Sequence, residues 1–227
     1  MNENQITQDS IIYLINNSER TASIYSYDND SEKTVKIPKS IQYASNEYII
    51  TSILSSSFNY AEVESIEFSP DSQIRTIEKE SFFSSPIESL TIPASLVNLE
   101  DGWMHGANEL KKIYISPDNP RYKNYEDKFI IGKSTIDSEN FDVLIFSFPE
   151  NKKVTIPKFI KHIGPYAFTS NTELKEIEFQ SNSELQTIEK SAFASSKIEC
   201  ITIPNHLTKI GRYAFYSCDH LRTVNFP

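Results

Sequence analysis

Residues 74–93 read IRTIEKESFFSSPIESLTIP, and residues 185–204 read LQTIEKSAFASSKIECITIP. Laid over each other without a gap, they match at 12 of 20 positions, at an offset of 111 residues. A chain that writes one pattern twice is tightly constrained, because each copy has to satisfy the same local structure.

The pattern is wider than these two stretches. In the first, Ile77 is followed by Phe82, then Ile87, Leu90 and Ile92, and Pro93 closes. The second gives Ile188, Phe193, Ile198, Ile201, Ile203 and Pro204. The same order returns as Ile53, Phe58, Val63, Ile66, Phe68 and as Leu99, Met104, Leu110, Ile113, Ile115. It returns again as Ile163, Phe168, Leu174, Ile177, Phe179 and as Ile210, Phe215, Leu221, Val224, Phe226. The six copies are spaced by 24, 22, 64, 25 and 22 residues. Apart from the one long gap, these fall in the leucine-rich-repeat range.

The closing trio I-x-x-I-x-I ends in strict alternation, which predicts a short strand. A proline after it cannot donate to a ladder, so the strand stops and the chain turns. The five-residue step from Ile to Phe is not a helical period, and it predicts a turn that drives the Phe inward. No stretch carries a sustained helical stripe. One copy buries too few apolar side chains to fold alone, but stacked copies share their faces. The expected fold is therefore a mainly-β repeat solenoid, right-handed, with one short parallel strand per repeat. Phe82, Phe168, Phe193 and Phe215 are expected to stack in one column inside it.

Residues 1–34 depart from the repeat. IIYLINNSERTASIYSYD predicts two strands and a polar turn, a hairpin cap over the first coil. Repeats then fill 35–117. Residues 118–153 interrupt them, with KFIIG and FDVLIFSFP as apolar strands of an inserted β-hairpin, and repeats resume over 154–227. The reading is one continuous solenoid domain. The last copy ends at RTVNFP, an apolar and hydrogen-bonding edge. Either weak self-association through that C-terminal end or disorder of the last few residues is the corresponding expectation.

Composition excludes several functions. The net charge is −9 with no basic stripe, so neither nucleic acid nor an anionic membrane is an expected partner. Only 5 glycines are present, too few for phosphate-cradling loops. No apolar run reaches the roughly 20 residues of a membrane span, and MNENQITQDSIIYLI has no basic region typical of a secretory signal. Asn16 and Asn29 sit in N-x-S sequons.

The run IPxxxxxIGxxAFxxCxxLxxVxxP, from Ile203 to Pro227, resembles the BspA-like leucine-rich repeat of bacterial and protist surface proteins. NPRYKNYEDKFIIG resembles that family's hairpin-bearing variant repeat. The resemblance covers residues 35–227. It implies adhesion to host proteins or cell surfaces, a secreted or surface location, and no shared catalytic residues.

The candidate chemistry is thin. His105, His162, His206 and His220 come from different repeats and have no ligand spacing. Cys218 and His220 form C-x-H, short of the four ligands of a structural zinc site. Cys200 is expected to face outward on its strand and Cys218 to pack in a turn, so the two do not pair. Neither a catalytic residue nor a cofactor or metal site is assigned. Glu64, Glu67, Glu88, Glu176, Glu178 and Glu199 lie beside the strands, as a solvated face or an acidic contact patch. The outward strand positions form the candidate partner-binding face. They are Ser65 and Glu67, Ser89 and Thr91, Lys112 and Tyr114, Glu176 and Glu178, Cys200 and Thr202, then Thr223 and Asn225. Tyr114 is the one aromatic among them. The expected function is non-enzymatic binding of a protein partner, host or extracellular in the family's sense. An intracellular protein-interaction scaffold is the second reading.

Overall fold

The computed structural model describes residues 4–28, 32–169 and 171–226, so Asn29 and Ser170 lie outside the described residues. The chain divides into two compact units, Met1–Pro120 and Arg121–Pro227. The fold is mainly β, and the described residues contain no helix.

Unit 1 opens with a meander of three antiparallel strands, β1 (Gln5–Gln8), β2 (Ile11–Asn16) and β3 (Thr21–Tyr27). Then come β4 (Thr34–Ile37), β5 (Ser40–Tyr43), β6 (Asn46–Ile53), β7 (Ser65–Phe68), β8 (Thr76–Ile77), β9 (Ser89–Ile92), β10 (Asn98–Leu99) and β11 (Lys112–Ile115). They build two sheets. One runs β1-β2-β3-β6-β8-β10, with β5 hairpinned on β6, and is parallel from β3 onward. The other is the parallel sheet β11-β9-β7-β4.

Unit 2 has the same plan. A meander of β12 (Tyr122–Tyr125), β13 (Phe129–Gly132) and β14 (Val143–Ser147) comes first. It is followed by β15 (Lys153–Ile156), β16 (His162–Ile163), β17 (Glu176–Phe179), β18 (Thr187–Ile188), β19 (Cys200–Thr202), β20 (Lys209–Ile210) and β21 (Thr223–Asn225). Its sheets run β12-β13-β14-β16-β18-β20 and β15-β17-β19-β21.

The offset of the twin stretches is the period of this plan. Strands β7, β9 and β11 start at 65, 89 and 112, and β17, β19 and β21 start at 176, 200 and 223, each 111 residues later. The meander over residues 122–147, foreseen as a hairpin interrupting the repeats, heads unit 2 as β1–β3 head unit 1. Its third strand, β14, pairs in parallel with β16 and so begins the sheet of the repeats. The N-terminal segment likewise holds three strands where a two-stranded hairpin is expected.

Each repeat also carries a second strand beyond the one its alternation predicts. Thr76–Ile77, Asn98–Leu99, His162–Ile163, Thr187–Ile188 and Lys209–Ile210 are two-residue strands at the first Ile position. Two residues are too few to show a period.

The strands form where β-branched residues alternate with polar ones. Thr34–Ile37 and Lys153–Ile156 both run exposed, buried, exposed, buried. Between the two strands of a repeat, the turn places two residues in the left-handed region, four positions apart. These are Ser56 and Tyr60, Glu80 and Ser84, Gly102 and Gly106, Ser191 and Ser195, Tyr213 and Ser217. That pair of αL residues is why the Ile-to-Phe step is five rather than a helical three or four. The turns then bond coil to coil. Phe58 N–H donates to Ser81 O at 2.8 Å, Phe168 to Ala192 O at 2.7 Å and Phe193 to Ala214 O at 2.8 Å.

The phenylalanines do stack, but in one column per unit. Unit 1 stacks Tyr27, Phe58 and Phe82 at 5.5 Å between centroids, and the Trp103 ring closes the column edge-on at 6.3 Å. Unit 2 places Phe129 edge-on to Phe168 at 6.3 Å, then stacks Phe168, Phe193 and Phe215 at 4.8 and 5.2 Å. Tyr27 and Phe129 come from the meanders, which therefore continue the core rather than only covering it. In the last coil Ile210, Tyr213, Tyr216, Val224 and Phe226 are exposed.

Phe193 is fully buried between two rings. Phe193→Ala should lower unfolding stability by about 3–5 kcal/mol, read by urea denaturation. The IG of the fourth copy also has a structural cause. A Cβ on Gly164 would lie 2.9 Å from the Leu144 carbonyl oxygen of the neighbouring strand. Gly164→Ala should therefore cost about 1–3 kcal/mol in the same assay, although the site is outside the aromatic column.

Candidate functional site

The twelve predicted face residues all lie on the strands β7, β9, β11, β17, β19 and β21, and each is half-buried or exposed. Inward positions between them, such as Ile66, Leu90, Ile113, Ile177 and Ile201, are buried. The structure brings the twelve together as two sets of six, one on each unit.

On unit 1, register aligns Thr34, Ser65, Ser89 and Lys112 in one row across the sheet. Ser89 Oγ and Ser65 Oγ are 3.1 Å apart. Thr91 Oγ1 accepts from the Phe68 N–H at 3.1 Å. Tyr114 is 51% exposed, the one large hydrophobic side chain exposed among the twelve. The Lys112 ammonium lies 4.5 Å from the centre of its ring, a cation–π contact.

On unit 2, the corresponding row is Lys153, Glu176, Cys200 and Thr223. Lys153 Nζ pairs with both Glu176, at 3.1 Å, and Glu178, at 2.9 Å. These two carboxylates hold the Lys153 ammonium above its ordinary pKa. An open hollow of about 940 Å³ lies on this face, with Glu178, Cys200, Thr202 and His206 in its lining. The Asn225 amide reaches Thr202 Oγ1 at 3.5 Å.

The six strand-side glutamates do not form an unpaired acidic patch. Glu64 meets Lys33, Glu67 meets Lys36, Glu88 meets Lys111, and Glu199 meets Lys175. With Lys153 serving the remaining two, each has a lysine from a neighbouring strand or its flank. Such exposed pairs set register and solubility more than stability.

The histidines and cysteines are held apart. His162 Nδ1 is 2.9 Å from Thr187 Oγ1, and His206 Nδ1 is 3.0 Å from Ser183 O. His105 packs edge-on to Phe83, and burial lowers its pKa. His220 is exposed. Among the described residues, no three His, Cys, Asp or Glu side chains converge in a way that could hold a metal. Cys218 Sγ donates to Phe193 O at 3.0 Å, and burial pushes its thiol pKa up.

Sequence reasoning missed a second set of surface aromatics, on the turns of unit 1. Tyr60, Phe83 and His105 form a ladder outside the buried column, with centroids 5.5 and 5.1 Å apart. The signal available was the doubled aromatic at Phe82–Phe83 and the aromatic two residues after Phe58.

A family model for the BspA type leucine-rich repeat region matches this sequence in six copies, over residues 21–142 and 139–227. No curated protein matches it. Among solved structures, a leucine-rich repeat protein from Eubacterium ventriosum ATCC 27560 is similar with a TM-score of 0.60 and 18% identity, over 96% of this chain and 70% of that one. A leucine-rich cell surface protein from Faecalibacterium prausnitzii A2-165 gives 0.42 and 16%, over 98% and 94%. The pneumococcal vaccine antigen PcpA gives 0.45 and 15%, over 98% and 81%. The similarity to the first is one of fold.

The two cysteines test the face assignment chemically. Exposed Cys200 should label with a maleimide at neutral pH in the native protein. Cys218, with its thiol bonded and its pKa raised, should label only on unfolding. Peptide mass mapping reads both, and equal native labelling would contradict the assignment.

Proposed function

The chain belongs to the BspA-type leucine-rich repeat family, and we propose that it is a non-enzymatic protein-binding module whose contact surface is the strand face of unit 1, with Tyr114 as anchor. In the family's sense, this is adhesion or interaction at a cell surface, with a host or other extracellular protein as the partner.

The exposed Tyr114 ring carries this reading. Aromatic anchors supply much of the energy of protein interfaces. Tyr114 is fixed on a strand and clamped by Lys112, so little side-chain freedom is lost on binding. The equivalent positions of unit 2, at the 111-residue offset, are Asn225 and Thr223. The inward positions keep their apolar character between the units, as Leu90 and Ile201 or Ile113 and Val224 do. The outward positions do not, so the two faces present different chemistry on one backbone plan.

Retention of extracellular proteins from host cells on immobilised protein tests this. Tyr114→Ala with Lys112→Ala should weaken binding about tenfold or more, with folding unchanged by circular dichroism. Charge reversal at Glu176 and Glu178 should have a smaller effect. Binding that survives the Tyr114 change but fails with a turn variant such as Ser195→Asn would move the site to the turns.

A further inference from the structure

The positions of Tyr60, Phe83 and His105 are filled in unit 2 by Ser170, Ala194 and Tyr216, so the ladder belongs to unit 1. In unit 2 two tyrosines at another turn position, two residues before Phe168 and Phe215, carry cations from the same chain. Lys190 Nζ lies 5.4 Å from the Tyr166 ring centre, and the Arg212 guanidinium lies 4.5 Å from that of Tyr213. In unit 1, no lysine or arginine among the described residues lies over Tyr60 or Phe83. Tyr60 is 66% exposed. The Tyr60 N–H donates to Phe83 O at 3.0 Å, and the Ser84 N–H to His105 O at 3.2 Å, so the backbone fixes the ladder.

The charge around it is one-sided. Residues 55–62, 78–85 and 100–109, which make these turns, hold six acidic residues and one basic one. Their counterparts at 165–172, 189–196 and 211–220 hold two of each. Glu80, Asp101 and Glu109 are exposed, and the Glu80 carboxylate is close enough to His105 to act on its charge. On the turns of unit 1, Tyr60 and Phe83 thus stand among carboxylates with no lysine or arginine of the described residues over either ring.

We propose that the turn face of unit 1 is a second docking surface, which takes an arginine- or lysine-rich peptide segment of a partner protein. Its cationic side chains lie over Tyr60 and Phe83 and pair with Glu80, Asp101 and Glu109. A ring face and a nearby carboxylate bind the same guanidinium by independent terms, and opposite charge speeds encounter. This surface is separate from the Tyr114 face, so either proposal can fail without the other.

The chain also provides variants that its own fold accommodates. Ser occupies the αL position of Tyr60 in other repeats, as Ser84 and Ser195, and Ala194 stands where Phe83 does in unit 1. The test is binding of a fluorescent nona-arginine peptide, with nona-glutamate as control, to the full 227-residue chain. Tyr60→Ser with Phe83→Ala should weaken nona-arginine binding by roughly 5- to 30-fold, the loss of two exposed cation–π contacts. Glu80→Gln with Asp101→Asn should weaken it as well, and Glu176→Gln with Glu178→Gln should not. On the unaltered protein, amide resonances of 55–62, 78–85 and 100–109 should shift with peptide, ahead of those in unit 2. Absence of binding, binding indifferent to the aromatic pair, or shifts spread evenly over the acidic surface would each overturn the proposal. The last two would indicate attraction to net charge alone.

Discussion

Parallel strands lie about 4.8 Å apart, and that one distance runs through both units. Every position of a repeat is copied at this spacing onto the same position of the next. A phenylalanine in each turn becomes a stack, with rings 4.8–5.5 Å apart where they lie face to face. That is close to the separation at which aromatic rings attract. A serine becomes a hydroxyl ladder, as Ser65 and Ser89 do, and a histidine meets a threonine, as His162 and Thr187 do. A lysine beside a glutamate becomes a cross-strand ion pair. The spacing also limits what may stand in a turn. At Gly164, the neighbouring strand comes so near that a single Cβ would collide with it.

The same rule explains which features could be read from the amino-acid order. The strand trio was legible because its period of two is written six times and in three copies closed directly by proline, at Pro93, Pro204 and Pro227. Outward positions followed from that alternation, and Ser65, Glu67, Ser89 and Thr91 lie where it puts them. The two-residue strands at Thr76–Ile77 and His162–Ile163 carry no alternation, and only their pairing with the next coil reveals them. Division into two units was hidden for a different reason. The segment 122–147 resembles its counterpart 5–27 in topology but not in sequence, so the meander read as an interruption. Tyr27 and Phe129 enter the columns from these meanders, where no repeat position marks them. Trp103 was missed because it sits one residue before the Phe position, where the sequence offers Met104, and its ring reaches Phe82 from there.

Function is less legible than fold because the repeat constrains the inside and leaves the outside free. Between the units, Ile66 matches Ile177, Phe68 matches Phe179 and Ile92 matches Ile203. Outside, Ser65 faces Glu176 in the alignment, Ser89 faces Cys200 and Tyr114 faces Asn225. One chain thereby holds two versions of one scaffold, and the contrast between them is informative. A role that required both faces to grip identical targets would require like chemistry at like positions. Only Glu67 with Glu178 and Thr91 with Thr202 meet that condition among the twelve.

The turns make the same point with charge. Glu80 and Ser84 in unit 1 and Ser191 and Ser195 in unit 2 set αL residues in the same places, yet one unit presents Tyr60 and Phe83 among carboxylates and the other Tyr166 and Tyr213 under lysine and arginine. The rings of the unit 1 ladder lie outside the buried column, Tyr60 exposed and Phe83 and His105 half-buried. Tyr60, Phe83 and His105 stand in line on successive repeats of unit 1 and pack edge-on, while unit 2 has Ala194 at the position of Phe83 and Tyr216 at that of His105. A row of large rings at the surface also carries a solubility cost, which an alanine in each place would remove. In the proposed reading, a cationic segment of a partner covers these rings and offsets that cost, and the carboxylates beside them set its charge.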